Sequence, residues 1–134
     1  MMLFVYRFCT LCLNVLLFPI LYLPCVFSAH WRMRMGFSRL RGKFVWFHCA
    51  SVGEVNGIFP LLQKLTLPSD VQLLMTTMTV TGWEQAQKKC AELTLPARTC
   101  LIPLDFPGAV ALFLRGKKIT HYVGNETEFW PNLF

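Results

Sequence analysis

The pattern of apolar and polar positions changes character once along these 134 residues. From Phe8 to Ala29 apolar side chains run almost unbroken and without charge. That length reaches the ~20 helical residues that cross a ~30 Å hydrocarbon core. Pro19 and Pro24 fall in its second half and predict a kink there. Residues 1–30 therefore read as a membrane-anchoring helix, bent or partly inserted, and 31–43 as a basic juxtamembrane linker. Beyond it, short apolar runs alternate with amphipathic stretches. Phe44–Cys49, aromatic and β-branched, predicts a buried strand. Val55, Ile58, Phe59, Leu62 and Leu65 recur at helical spacing up to the break Pro68-Ser69-Asp70. Val71–Thr76 predicts a second strand. A second helix is expected from about Gly82 to Leu93, opened by Thr81-x-x-Glu84 as a capping box. Cys100–Ile102 reads as a short third strand, Pro107 as the first turn of a helix ending near Arg115-Gly116, and Ile119–Val123 as a fourth strand.

This β-α-β-α-β-α-β order over 44–134 predicts an α/β fold: a parallel sheet with right-handed crossovers, like the first part of a Rossmann-like domain. Ligands in such sheets bind at the carboxyl ends of the strands. Three polar segments fall there and would converge on one rim: Ala50–Glu54, Thr76–Gly82 and Gly124–Glu128.

Composition sharpens the division. Hydrophobic residues make up 54% and charged residues 15%, which excludes a disordered chain. The net charge of +6 belongs to the N-terminal segment: Arg7, Arg32, Arg34, Arg39, Arg41 and Lys43 precede the first acid, Glu54. This argues against a nucleic-acid-binding face on the folded domain and for an anionic membrane surface as partner. A cleaved signal peptide is the competing reading of the apolar run, and the positive charge after it opposes export. The basic side is expected to face the cytoplasm. Six cysteines form no legible disulfide framework. Cys9-x-x-Cys12 has a zinc-like spacing but lies in the apolar run with no second pair, so packing explains it.

Ser51-x-x-Glu54 admits two readings. As a capping box, Glu54 bonds back to the start of its own helix. As a functional group, a carboxylate at a strand-to-helix turn reaches a bound hydroxyl as general base. The threonine-rich loop caps a helix or holds a sugar or phosphate. Glu126 and Glu128 beside Trp130 suit a saccharide, the indole stacking and the carboxylates accepting its hydroxyls. His48 and His121 read as strand residues. Phosphate-binding P-loop, dinucleotide-binding, zinc-protease and nucleophile-elbow motifs are absent.

The assembled segments Trp46-Phe47-His48-Cys49-Ala50-Ser51-Val52-Gly53-Glu54, Thr76-Thr77-Met78-Thr79-Val80-Thr81-Gly82, Pro103-Leu104-Asp105-Phe106-Pro107-Gly108-Ala109-Val110 and Glu126-Thr127-Glu128-Phe129-Trp130-Pro131-Asn132-Leu133 resemble the N-terminal domain of 3-deoxy-D-manno-octulosonic acid (Kdo) transferases of lipopolysaccharide synthesis. The resemblance implies a GT-B glycosyltransferase on the cytoplasmic face of a bacterial inner membrane. Its N-terminal Rossmann-like domain binds the lipid A precursor, and a C-terminal one binds the donor, CMP-Kdo. It implies Glu54 as general base, Ser51, Gly53, Thr77, Thr79, Gly82, Glu126 and Glu128 on the acceptor side, and no metal or cofactor. Asn125 and Phe129 depart from the family's usual hydrophobic residue and leucine. Because the sequence ends at Phe134, the donor domain is expected to be missing and the chain alone inactive, needing a complementary C-terminal chain. The uncovered sheet edge predicts poor solubility. The alternatives are a non-catalytic membrane-bound remnant or lipid-binding module, or another lipid-directed GT-B glycosyltransferase.

Overall fold

The computed structural model describes residues 2–125 and 130–133. Its elements are α1 (Met2–Leu16), α2 (Phe18–Tyr22) with a 3₁₀ turn Leu23–Val26, α3 (Ala29–Arg34), β1 (Gly42–Cys49), α4 (Val52–Leu62), β2 (Val71–Thr77), α5 (Val80–Ala91), β3 (Ala97–Leu101), α6 (Pro107–Leu114) and β4 (Lys117–Asn125). They form two compact units. One comprises Leu40–Ile102 with β4; the other comprises the N-terminal residues through Arg39, Pro103–Arg115 and the turn at 130–133.

In the first unit the four strands are all parallel, in the order β3-β2-β1-β4. β1 is central because its apolar residues are buried on both faces, which a two-sided parallel strand requires. Phe47 and Cys49 on β1, with Leu73 and Met75 on β2, pack against Val55, Ile58 and Leu62 of α4 and Ala86 and Cys90 of α5. The alternate residues Phe44, Trp46, His48, Leu74 and Thr76 occupy the other face and are also buried. Trp46 meets Tyr122 of β4 edge-on, with ring centroids 4.9 Å apart. A bulge in the β1–β4 pairing leaves Thr120 outside the register, and its hydroxyl donates to the Phe44 carbonyl at 3.1 Å.

Three expected boundaries move. β3 begins at Ala97, before the apolar Cys100, because an edge strand tolerates polar side chains; Arg98 is exposed and donates to Gln72 Oε1 at 3.4 Å. β4, the other edge, runs from Lys117 to Asn125 for the same reason. α5 starts at Val80, and its N-cap is Thr79 rather than Thr81. Thr79 has the extended backbone of a cap (φ −106°, ψ 151°), and its hydroxyl accepts from the Gly82 N–H at 3.0 Å.

In the second unit the apolar run does not form one long helix. α1 ends at Leu16, and the Phe18–Val26 limb leaves it at 76°, with Pro19 in the first turn of α2 and Pro24 in that of the 3₁₀ turn. No single helix is long and apolar enough to cross a membrane among the described residues, although this bent pair passes by length and composition together. The start of the expected linker is helical. Ser28 Oγ caps α3 by accepting from Trp31 N–H at 3.2 Å, and Gly36 (φ 82°) terminates it. There Phe37 N–H donates to Arg32 O and Gly36 N–H to Met33 O, a Schellman arrangement. Met35, Cys25 and Ala109 form this unit's buried centre.

Candidate functional site at the carboxyl rim of the sheet

The order β3-β2-β1-β4 places a topological switch point between β1 and β4, where connections depart in opposite directions, the position at which open α/β sheets bind ligands. β1 delivers Ala50–Glu54 to that rim. Ser51 is the N-cap of α4, in extended backbone (φ −130°, ψ 169°), with its Oγ accepting from Glu54 N–H at 3.4 Å. The Glu54 carboxylate turns back: Oε2 accepts from the Ala50 N–H at 2.9 Å and Oε1 from the Ser51 hydroxyl at 3.0 Å. Both sequence readings of Glu54 thus meet in one geometry. It caps its helix, and the same bonds hold a half-buried carboxylate at the helix's positive end. A carboxylate has about four lone-pair sites, so two are left to accept a proton from a ligand hydroxyl.

The β2–α5 loop lies against this turn. Met78 N–H donates to the Ala50 carbonyl at 3.2 Å, joining the two loops through their backbones. Ser51, Gly53 and Thr79 are exposed at the rim. Thr77 and Gly82, expected to line the site, are buried beneath it. The Thr77 hydroxyl donates to the Thr79 carbonyl at 3.2 Å. A Cβ on Gly82 would stand 2.8 Å from Thr79 Oγ1, 3.4 Å from Thr77 Cβ and 3.6 Å from the Ser51 carbonyl carbon. Glycine is what lets α5 begin this close to the Ser51 turn. Glu126 and Glu128 lie outside the described residues. The strand leading to them ends with Asn125 paired to Cys49, beside the Glu54 turn.

Under the rim, Thr76 Oγ1 accepts from Trp46 Nε1–H at 2.7 Å and lies 2.8 Å from His48 Nδ1. His48 is therefore a core residue paired with β2, and His121 sits exposed on the edge strand. Burial, reinforced by the negative charge of Glu54 and by Cys90, pushes the Cys49 thiol up to about 12. That leaves it protonated at neutral pH and removes it as a nucleophile. Among the described residues no three His, Cys, Asp or Glu side chains group to hold a metal ion. Sequence reasoning could not reach the backbone groups at Ala50 and Met78, nor the bond from Gln85 Nε2 to Asn56 Oδ1 (2.7 Å) linking α5 to α4, because none carries a motif.

Sheet, switch point and capped carboxylate define a Rossmann-like α/β domain with a polar rim. Residues 29–134 match the family of 3-deoxy-D-manno-octulosonic-acid transferases (kdotransferases) in its N-terminal region, and the chain belongs to this glycosyltransferase family. It is 35% identical over 103 residues to a bifunctional glycosyltransferase/methyltransferase of Fusobacterium nucleatum, covering 76% of this chain and 16% of that protein. It is 33% identical over 109 residues to a probable mitochondrial 3-deoxy-D-manno-octulosonic acid transferase of Arabidopsis thaliana, covering 78% and 24%. To the 3-deoxy-D-manno-octulosonic acid transferase of Bordetella pertussis it is 34% identical over 91 residues, covering 66% and 21%. The chain thus spans between about a sixth and a quarter of the length of these relatives. No solved structure is matched.

Proposed function

We propose that these residues form the acceptor side of a GT-B transferase that moves Kdo from CMP-Kdo to a lipid A precursor, on the cytoplasmic face of a bacterial inner membrane. Glu54 is the general base in this reading. It takes the proton of the acceptor sugar hydroxyl as that oxygen bonds to the anomeric carbon of Kdo, and the bond to the CMP phosphate breaks. Ser51, Gly53 and Thr79 border the acceptor, Glu126 and Glu128 support it, and Thr77 and Gly82 shape the floor. CMP-Kdo is held in this reading by a second Rossmann-like domain. No step is assigned to a metal.

The observation that carries the reading is the Glu54 carboxylate, anchored by Ala50 N–H and the Ser51 hydroxyl at the mouth of the switch point. Family membership supports Kdo as the transferred group, and CMP as its carrier and a lipid A precursor as acceptor are part of the proposal. The same two bonds also favour a second reading, in which Glu54 only caps α4 and the chain binds lipid without catalysis.

A chimera separates them. Residues 29–134 replace the matching segment of the Bordetella pertussis relative, and Kdo transfer to lipid A precursor is measured with and without Glu54→Gln. An amide keeps the shape and one acceptor oxygen, so folding should survive. Loss of a general base lowers turnover by about 10²–10⁴-fold. A folded Glu54→Gln chimera of undiminished rate removes the base assignment, and a folded unsubstituted chimera that neither binds nor glycosylates the acceptor removes the substrate assignment.

A further inference from the structure

The α1 helix has two chemically opposed faces. Tyr6, Arg7, Thr10 and Asn14 share one side, within about 100° of the helical wheel. The Tyr6 hydroxyl donates to Asp105 Oδ2 at 2.9 Å, and Arg7 donates from Nε and Nη2 to the Pro131 carbonyl at 3.0 and 2.8 Å. Asn132 Nδ2 donates to Thr10 Oγ1 at 3.3 Å and to the Asp105 carbonyl at 2.7 Å, and its N–H donates to Asp105 Oδ1 at 3.0 Å. Asn14 is buried against Gly108. The block Pro103–Val110 and residues 130–133 of the block Glu126–Leu133 thus fasten this side of α1. The opposite side presents Val5, Phe8, Cys9, Cys12, Val15 and Leu16, all exposed, with Leu16 at 76%. Beyond the bend the exposed apolar surface continues through Phe18, Ile20, Leu23, Val26 and Phe27.

We infer that α1 and the Phe18–Val26 limb lie within one leaflet of an anionic bilayer instead of crossing it. By length and composition the bent pair could reach across a bilayer, so polarity decides. A crossing α1 would carry Asp105, Arg7 and the Asn132 backbone into hydrocarbon, where charged side chains are costly. Lying in the interface, α1 keeps those groups on its protein side and gives lipid only the apolar side. Charge selects lipid over a protein partner as the occupant. Arg32 and Arg34 end α3 in the same unit, and the first 53 residues contain no acid to oppose anionic headgroups.

The test places a protease-cleavable tag before Met1 of the full chain, expressed in a bacterial inner membrane, and reads topology rather than activity. The tag and the β1–β4 domain are expected on the same side: both cut in inverted vesicles, both protected in spheroplasts. Cleavage of the tag alone in spheroplasts shows a crossing helix and overturns the inference. In parallel the purified chain is floated with vesicles of three parts phosphatidylglycerol to seven of phosphatidylethanolamine. Val5→Glu with Leu16→Glu, which leaves every bond of the polar side in place, is expected to lower vesicle partitioning at least tenfold. A double variant that floats like the parent, or a parent that ignores vesicles and self-associates through this face, likewise overturns it.

Discussion

Replacing Thr76 by valine tests the polar contact on which the rim rests. Valine matches threonine in shape and removes only the hydroxyl, which bonds Trp46 Nε1 at 2.7 Å and His48 Nδ1 at 2.8 Å in a site where Thr76 is fully buried and His48 nearly so. Losing a bond to a buried polar group costs about 1–3 kcal/mol, so two such losses cost roughly 2–6 kcal/mol. The added methyl returns at most about 0.8 kcal/mol. A net loss near 3 kcal/mol is expected, which lowers the urea midpoint by about 1 M or more. Thr76→Ser is the control: it keeps the hydroxyl and deletes one methyl, at about 1 kcal/mol. Urea unfolding of the three proteins, followed by tryptophan fluorescence and circular dichroism together, reads the difference. A valine variant as stable as the serine variant refutes the reasoning, because packing rather than hydrogen bonding would then govern the site.

Other outcomes follow from single positions. Gly57 lies in the interior of α4 with open space where a Cβ would go, so Gly57→Ala should stabilise by about 0.5–1 kcal/mol in the same urea titration. At Gly36, φ is +82° and a Cβ would stand 1.9 Å from the Ala109 carbonyl oxygen. Gly36→Ala should therefore cost about 3 kcal/mol or more and expose the segment before β1 to limited proteolysis. Burial pushes the thiols of Cys49 and Cys100 up to about 12 and Cys90 to about 11. At pH 8, without lipid, iodoacetamide should label exposed Cys9 and Cys12, and the buried Cys25, Cys49, Cys90 and Cys100 only on unfolding. The folded state then holds more protons than the unfolded above pH 9, so stability is full below that value and falls as pH rises toward 12, by about 1.4 kcal/mol per unit for each thiol.

The central strands and α4 were legible because burial on both faces leaves a strand no choice but continuous apolar residues, and because Val55, Ile58, Phe59 and Leu62 mark a single helix face. The edges were not. β3 and β4 satisfy one side of their backbone from a neighbour and leave the other to solvent, so Arg98 and Lys118 cost nothing there and hide the strand from a hydrophobicity reading. The start of α5 was displaced because the capping-box rule favours Thr81, which has Glu84 three residues on, over Thr79, which has Gly82, and only backbone geometry shows that Thr79 reaches Gly82 N–H. The kink foreseen from Pro19 and Pro24 is present, but the grouping of α6 with the N-terminal helices rests on long-range contacts that no local pattern encodes. At the rim, Ser51 and Glu54 were readable as a pair. The burial of Thr77 and Gly82 was not, since a threonine-rich loop has the same composition whether its hydroxyls face solvent or each other.

Capping and catalysis at Glu54 are usually weighed as rivals, yet here one enables the other. In a capping box the carboxylate reaches the N-cap's own N–H; here it reaches one residue further back, to Ala50, whose carbonyl is held by Met78 N–H of the neighbouring loop. The Glu54 side chain is thus fixed to the junction of both loops, so its orientation follows the rim rather than α4 alone. Both bonds come from neutral donors, which orient the carboxylate without supplying a full counter-charge, and they leave half of its acceptor sites open. A structural cap must appear in the unfolding free energy, at about 0.5–2 kcal/mol for loss of the Ser51 hydroxyl. A base must also appear in the rate of the chimera. Ser51→Ala is expected to lower stability in either case, whereas Glu54→Gln lowers the chimera's rate by about 10²–10⁴-fold, beyond any loss of stability, only if Glu54 is the base.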